Sequence, residues 1–231
     1  MILISGYDDI QGMDRIVIVA SFFALAIGGI IVSVLVLLKR RKTDVKASRF
    51  YLLGIAMFAM LFGLGRLVFL YHDYFAPDPL DAPVYLVGEI LTLSALIILV
   101  FSIEKFIFTR TRKLITIIGL ICLVLVIVFT PLEAEPRRIS ALAYVAGNGV
   151  LTILPFFIYI YIAKISTGSV RKQALFIILG IVMLAISIIG GKYLYDFHIL
   201  NRLWSQLFGI IFSFIGFILL SYGLVKNPAT K

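Results

Sequence analysis

Seven side chains in this sequence have the chemistry to hold a small polar molecule within an otherwise apolar chain: Arg66, Glu89, Tyr144, Asn148, Lys192, Tyr193 and Gln206. An ionisable group at membrane depth costs about 2.5–3.5 kcal/mol on insertion scales, so each one kept there is a candidate for function. Arg66 and Glu89 stand about six residues inside the matching ends of two consecutive apolar segments. The short connection between those segments makes them antiparallel neighbours, and the spacing predicts an ion pair. One reading is a clamp whose desolvation is partly offset by the pairing. The other makes Arg66 the counter-ion of an anionic ligand, with Glu89 holding it and exchanging protons. Lys192 offers a second cation. Asn148, between Gly147 and Gly149, and Gln206 carry amides that are costly to bury without partners, so both are expected to face the bundle interior or water. Tyr144, one turn above Asn148, and Tyr193 complete the expected ligand-binding set. Tyr193 also belongs to a ring with Tyr71, Tyr85, Tyr195 and Trp204, which an interfacial aromatic belt accounts for.

Other chemistry lacks its residues. His72 and His198 are the two histidines, both placed at or beyond segment ends where exposure is expected. No C-x-x-C-H motif and no clustered acid accompanies them, so neither haem nor catalytic zinc is expected, and no cofactor or metal is predicted. A pH-sensing role suits them better. There is no G-x-S-x-G, no H-E-x-x-H and no P-loop, and the chain is expected not to be an enzyme. Cys122 is the single cysteine and can form no intrachain disulfide.

The elements that must position these groups are read from hydropathy. The chain has 231 residues, 62% hydrophobic and 14% charged. Soluble domains hold about 45–50% apolar and about 25% charged residues. Apolar runs of about 20 residues, each long enough to cross about 30 Å of hydrocarbon, predict seven transmembrane helices over 16–38, 50–72, 83–104, 114–131, 139–163, 173–195 and 203–225. The runs are continuous rather than alternating, which excludes a β-barrel. Asp8, Asp9 and Asp14 precede a first run too long for a signal peptide, so it is expected to be retained. The predicted fold is all-α, one polytopic seven-helix domain over residues 1–231.

Charge gives the expected orientation. Of the 21 Lys and Arg residues, fifteen fall at one end: Lys39–Arg49, Lys105–Lys113, Lys164–Lys172, Lys226 and Lys231. Five fall at the other, and Arg66 lies within a segment. The positive-inside rule then puts the N-terminus outside and the C-terminus in the cytoplasm of a multi-pass cell-membrane protein. The net charge of +9 has no nucleic-acid recognition module beside it, so anionic lipid rather than nucleic acid is the expected partner of the basic loops. The tails are too short for a domain.

Sliding the chain by 126 residues pairs the second segment with the sixth: Gly54 meets Gly180, Ile55 Ile181, Met57 Met183, Ala59 Ala185, Gly65 Gly191 and His72 His198, with Arg66 on Lys192. This predicts a parallel repeat with halves at about 16–108 and 139–225 and a linker helix over 114–131, related by a pseudo-twofold axis along the membrane normal. Glu89 then stands opposite Gln206. Gly28, Gly29, Gly63, Gly65, Gly190, Gly191 and the Gly209/Ser213 pair read as small residues at helix crossings. Pro155 is expected to kink the fifth helix near Asn148.

The three-plus-one-plus-three plan resembles PQ-loop sugar-efflux carriers and, more distantly, microbial rhodopsins, although there is no Pro-Gln dipeptide and no lysine between Leu203 and Val225. In seven helices and short tails the chain resembles stand-alone archaeal seven-helix membrane proteins of unknown function and the membrane input modules of prokaryotic sensor kinases. That resemblance transfers no site residues. The expected function is receptor-like or sensory: a small anionic or amphipathic ligand bound in a polar cavity of the outer half, with a signalling partner chain or homo-oligomer carrying the output. The alternatives are a small secondary carrier and a structural subunit of a membrane complex. The polar groups lie in the outer third, whereas a carrier site lies near the midplane.

Overall fold

In a chain of continuous apolar runs only the helix satisfies every backbone polar group within its own segment. The computed structural model describes residues 13–76, 78–132, 139–196 and 202–225, and among them the chain is seven α-helices and one short 3-10 turn. The helices are α1 Met13–Arg41, α2 Lys46–Phe75, α3 Asp78–Phe106, α4 Leu114–Phe129, α5 Ile139–Ile165, α6 Gly168–Asp196 and α7 Arg202–Val225. All seven predicted segments are present. Six helices extend beyond their apolar runs at one or both ends, because polar residues such as Arg40 and Lys46 continue the turn where the apolar pattern stops.

Six of the seven are long and apolar enough to cross a membrane: Arg15–Arg41, Ser48–His72, Ala82–Phe106, Ile139–Ile165, Gly168–Ser187 and Leu203–Gly223. The fourth departs from expectation. It has 16 residues, a rise of about 24 Å at 1.5 Å per residue, short of about 30 Å of hydrocarbon. Its limits have local causes. Arg112 and Lys113 are both left-handed, with φ of 49° and 67°, so the helix begins only at Leu114, and Pro131 lies just past its end.

Successive helices pack side by side from α1 to α7, and α1 also packs on α7, which closes a ring. α3 touches α2, α4 and α5, and α2 reaches α7. Large apolar side chains such as Phe23, Ile27, Leu35, Ile121, Val124, Phe157 and Ile211 lie exposed around the outside, a surface suited to hydrocarbon rather than water. Small residues set two of the crossings. A Cβ on Gly29 would stand 2.8 Å from the Ala59 carbonyl, and one on Gly63 would stand 2.9 Å from that of Ala26, so α1 and α2 meet backbone to backbone. α6 and α7 do the same at Gly180 and Gly216, each of which would set a Cβ 2.9 Å from the other's carbonyl oxygen. The Ser213 hydroxyl donates to the Ser187 hydroxyl across the same interface at 2.8 Å.

The largest buried cluster lies between α2, α3, α5, α6 and α7 and includes Phe58, Phe62, Tyr159, Ile177 and Phe217. A second joins α3, α4 and α5 through Leu93, Ile97, Val126 and Leu151. The loops at the basic end are built structures. The Arg49 Nε donates to the Thr43 carbonyl, and the Thr43 hydroxyl donates to that of Lys39.

Candidate functional site

α2 and α3 run antiparallel, and small residues let them approach next to the two charges. A Cβ on Gly65 would come within 3.2 Å of the Thr92 hydroxyl oxygen, and one on Gly88 within 2.8 Å of the Phe69 ring. Arg66, beside Gly65, is half-buried, and its guanidinium lies over the Phe62 ring at 4.8 Å from the centroid. The stem thus packs on the bundle side of α2 while the charge is held by an aromatic face, an attraction that grows as water is excluded. Glu89 is buried, with 3% of its surface exposed.

α5 supplies the third wall. The Tyr144 side chain lies within electrostatic reach of both Arg66 and Glu89 and interacts directly with the side chains of Thr92 and Asn148. Three helices therefore contribute to one polar cluster in the half of the bundle away from the basic loops. Asn148 reaches it in a constrained pose, because its side-chain N–H donates to the Tyr144 backbone carbonyl one turn back at 2.8 Å. That bond uses part of the amide and aims the remainder. α5 runs unbroken through Pro155, which lies buried in its wall.

The cluster unites a guanidinium, a carboxylate, a phenol, a hydroxyl and an amide. Such a set binds an anion or a hydrogen-bonding amphiphile by charge and by donors fixed on rigid helices. No family model, curated protein or solved structure matches the chain. The functional reading therefore stands on this geometry and on no relative.

Of the seven sequence-predicted residues, Arg66, Glu89, Tyr144 and Asn148 meet in this cluster. Lys192 and Tyr193 fall within α6 and Gln206 within α7, but their side chains lie outside the described residues. Thr92 was missed by sequence reasoning. A threonine in an apolar helix draws no attention, since its hydroxyl can bond its own backbone, as here to the Gly88 carbonyl at 2.9 Å. The usable signal was its place three residues after Glu89, on the same helical face.

His72 differs from expectation. It was placed at an exposed end, yet α2 continues to Phe75 and leaves His72 only 7% exposed, its ring 5.0 Å from that of Tyr85. His198 lies outside the described residues. A shallow groove of about 500 Å³ opens between α2 and α3 on their other face, lined by Leu64, Leu67, Val68, Val84, Val87 and Tyr71. It is almost wholly apolar and is not part of the polar cluster. Among the described residues no group of three His, Cys, Asp or Glu is placed to hold a metal.

Proposed function

We propose that this is a multi-pass cell-membrane protein, N-terminus outside and C-terminus in the cytoplasm, which binds a small anionic or amphipathic ligand at the Arg66, Glu89, Thr92, Tyr144 and Asn148 cluster. The observation that carries the reading is that Tyr144 shares the field of Arg66 and Glu89 from a third helix. Charges from two helices that reach the same phenol form a site rather than an isolated tie, and they lie in the half that the positive-inside rule turns outward. With the output assigned to a partner chain or a second copy, this is a receptor-like or sensory role. The test is equilibrium binding of a panel of organic anions to purified protein. Saturable binding lost in Arg66→Gln, with no flux in proteoliposomes, is the expected result. Absence of binding across the panel would remove the site.

A carrier is the second reading, and one observation favours it. Gly54 on α2 packs into α3 at Ser102 and Ile98, while Gly180, its counterpart 126 residues on, packs into α7 at Leu220 and Gly216. The pairing that sets Glu89 against Gln206 sends Ser102 to Leu219 and Ile98 to Ile215, each one residue from the contacts seen. The α2–α3 contact thus matches the α6–α7 contact to within one residue, which is what a parallel repeat would give for that pair of helices. Flux in proteoliposomes decides for the carrier. An experimental structure in which α1–α3 superpose on α5–α7 by a rotation of about 180° supports the repeat, and any other best pairing ends it.

A further inference from the structure

The basic half of the bundle holds buried polar side chains of its own. Tyr51 and Tyr159 are each 2% exposed, and their side chains interact across the gap from α2 to α5. Ser48, Gln173 and Ser221 are buried toward the same end, on α2, α6 and α7. Ser221 follows Phe217 by one turn. Gln173 precedes Ile177 by one turn, at a contact where a Cβ on Gly223 would stand 3.0 Å from the Gln173 carbonyl. All five residues therefore lie toward the basic end of their helices, and Tyr51 and Tyr159 belong to the largest core cluster. The Ser48 hydroxyl, the Gln173 side-chain amide oxygen and the Ser221 hydroxyl find no hydrogen-bond partner among the described residues.

Buried polar atoms are almost always paired with protein or with water, so three left without a protein partner, on three helices at one end of the bundle, call for water there. Between this group and the Arg66 cluster lie three aromatic rings. Phe62 stacks on Phe217 at 5.5 Å with planes 6° apart, and Phe58 packs on both, at 5.8 and 6.1 Å.

We propose that Ser48, Tyr51, Tyr159, Gln173 and Ser221 line a second site, a hydrated vestibule open at the basic end, which Phe58, Phe62 and Phe217 close off from the Arg66 cluster. None of the five is charged at neutral pH, so the vestibule takes neutral hydrogen-bonding species, water first, and differs in chemistry from the charged cluster beyond the rings. It stands whether or not the outer cluster binds an anion.

The experiment uses single cysteines in a Cys122→Ser background and a membrane-impermeant thiol reagent applied separately to each side of sealed vesicles. Ser221→Cys is compared with Ile218→Cys, which lies three residues away and is 46% exposed on the outer surface of α7. Tyr159→Cys is compared with Tyr161→Cys, 53% exposed on α5. Vestibule positions are expected to react from the basic side at least about tenfold faster than their lipid-facing neighbours, since hydrocarbon excludes both reagent and thiolate. Equal rates within each pair mean that depth alone governs access and overturn the vestibule, as does reaction from neither side. Adding Phe217→Ala to Ser221→Cys is expected to open reaction from the opposite side, whereas Phe217→Leu keeps it one-sided. Continued one-sided labelling in Phe217→Ala, in protein that still shows the Ser221/Ile218 difference, overturns the aromatic barrier.

Discussion

Helix α3 carries two buried glutamates, Glu89 and Glu104, with 3% and 2% of their surfaces exposed and about 22 Å between them along the axis. Their surroundings have little in common. The Glu104 carboxylate accepts the backbone N–H of Ile115 at 3.2 Å and of Thr116 at 2.9 Å, and the Thr116 hydroxyl at 2.5 Å. It caps α4 from outside. The orphan donors of that first turn and its positive dipole end compensate the charge fully, with residues only eleven and twelve positions away. Around Glu89 the setting is made of side chains from other helices, with Arg66 on α2 and Tyr144 on α5 in the same field. The Glu104 carboxylate already accepts three hydrogen bonds from its own chain, which leaves it little capacity for a ligand. A carboxylate held among side chains has neighbours that a ligand can replace, so depth alone does not identify a site.

Five substitutions sharpen or break that contrast. The largest effect is expected for Arg66→Leu, about 3 kcal/mol of lost stability, because it leaves Glu89 buried in a cluster that has lost its cation. Adding Glu89→Gln should recover at least about 1 kcal/mol in a double-mutant cycle read by unfolding in detergent. A coupling near zero breaks the pair. Glu104→Ala should cost about 2 kcal/mol, the value of charge-assisted bonds to a helix start, with anion binding untouched; a binding defect there would place the two carboxylates in one system. Thr92→Val keeps the shape and removes the hydroxyl beside Tyr144. About 1 kcal/mol of binding free energy is expected to go with it while thermal stability holds, as isothermal titration would report. Ser213→Ala sets the scale for a neutral tie between helices, and about 0.6 kcal/mol is expected. A loss as large as that for Glu104→Ala would mean that bonds between these helices are worth far more than such pairs usually give.

Helix number and span were legible because hydropathy reads directly on transfer into hydrocarbon, and the seven expected centres coincide with the seven helices. Ends were less legible. The turns added at Lys46–Arg49 and Gly168–Lys172 are polar residues that carry no transfer signal, though they continue the backbone pattern. The early start of α3 at Asp78 hid the depth of Pro83 inside it. In the site, charged residues declared themselves while neutral ones did not. Arg66 and Glu89 were visible because each is costly in lipid. Thr92, Tyr51 and Tyr159 were not, since a hydroxyl in an apolar run costs little enough to pass as packing, and only the three-dimensional contacts show which of them converge. The role of Glu104 was not legible, because no periodicity reports that the start of the next helix folds back onto it.

The two carboxylates also differ in when their partners exist. A ribosome delivers Glu104 and Thr116 within a dozen residues of each other, so the ring they close is small and its entropic cost low. The left-handed pair Arg112 and Lys113 already bends the chain back at that point. The hairpin of α3 and the short α4 is therefore expected to latch while later helices are still being made, which gives a 16-residue segment a reason to stay in place before α5 arrives to cover it. Tyr144 emerges seventy-eight residues after Arg66. The charged cluster consequently matures later than the Glu104 cap, and until α5 docks, the nascent protein holds Arg66 and Glu89 with no third wall.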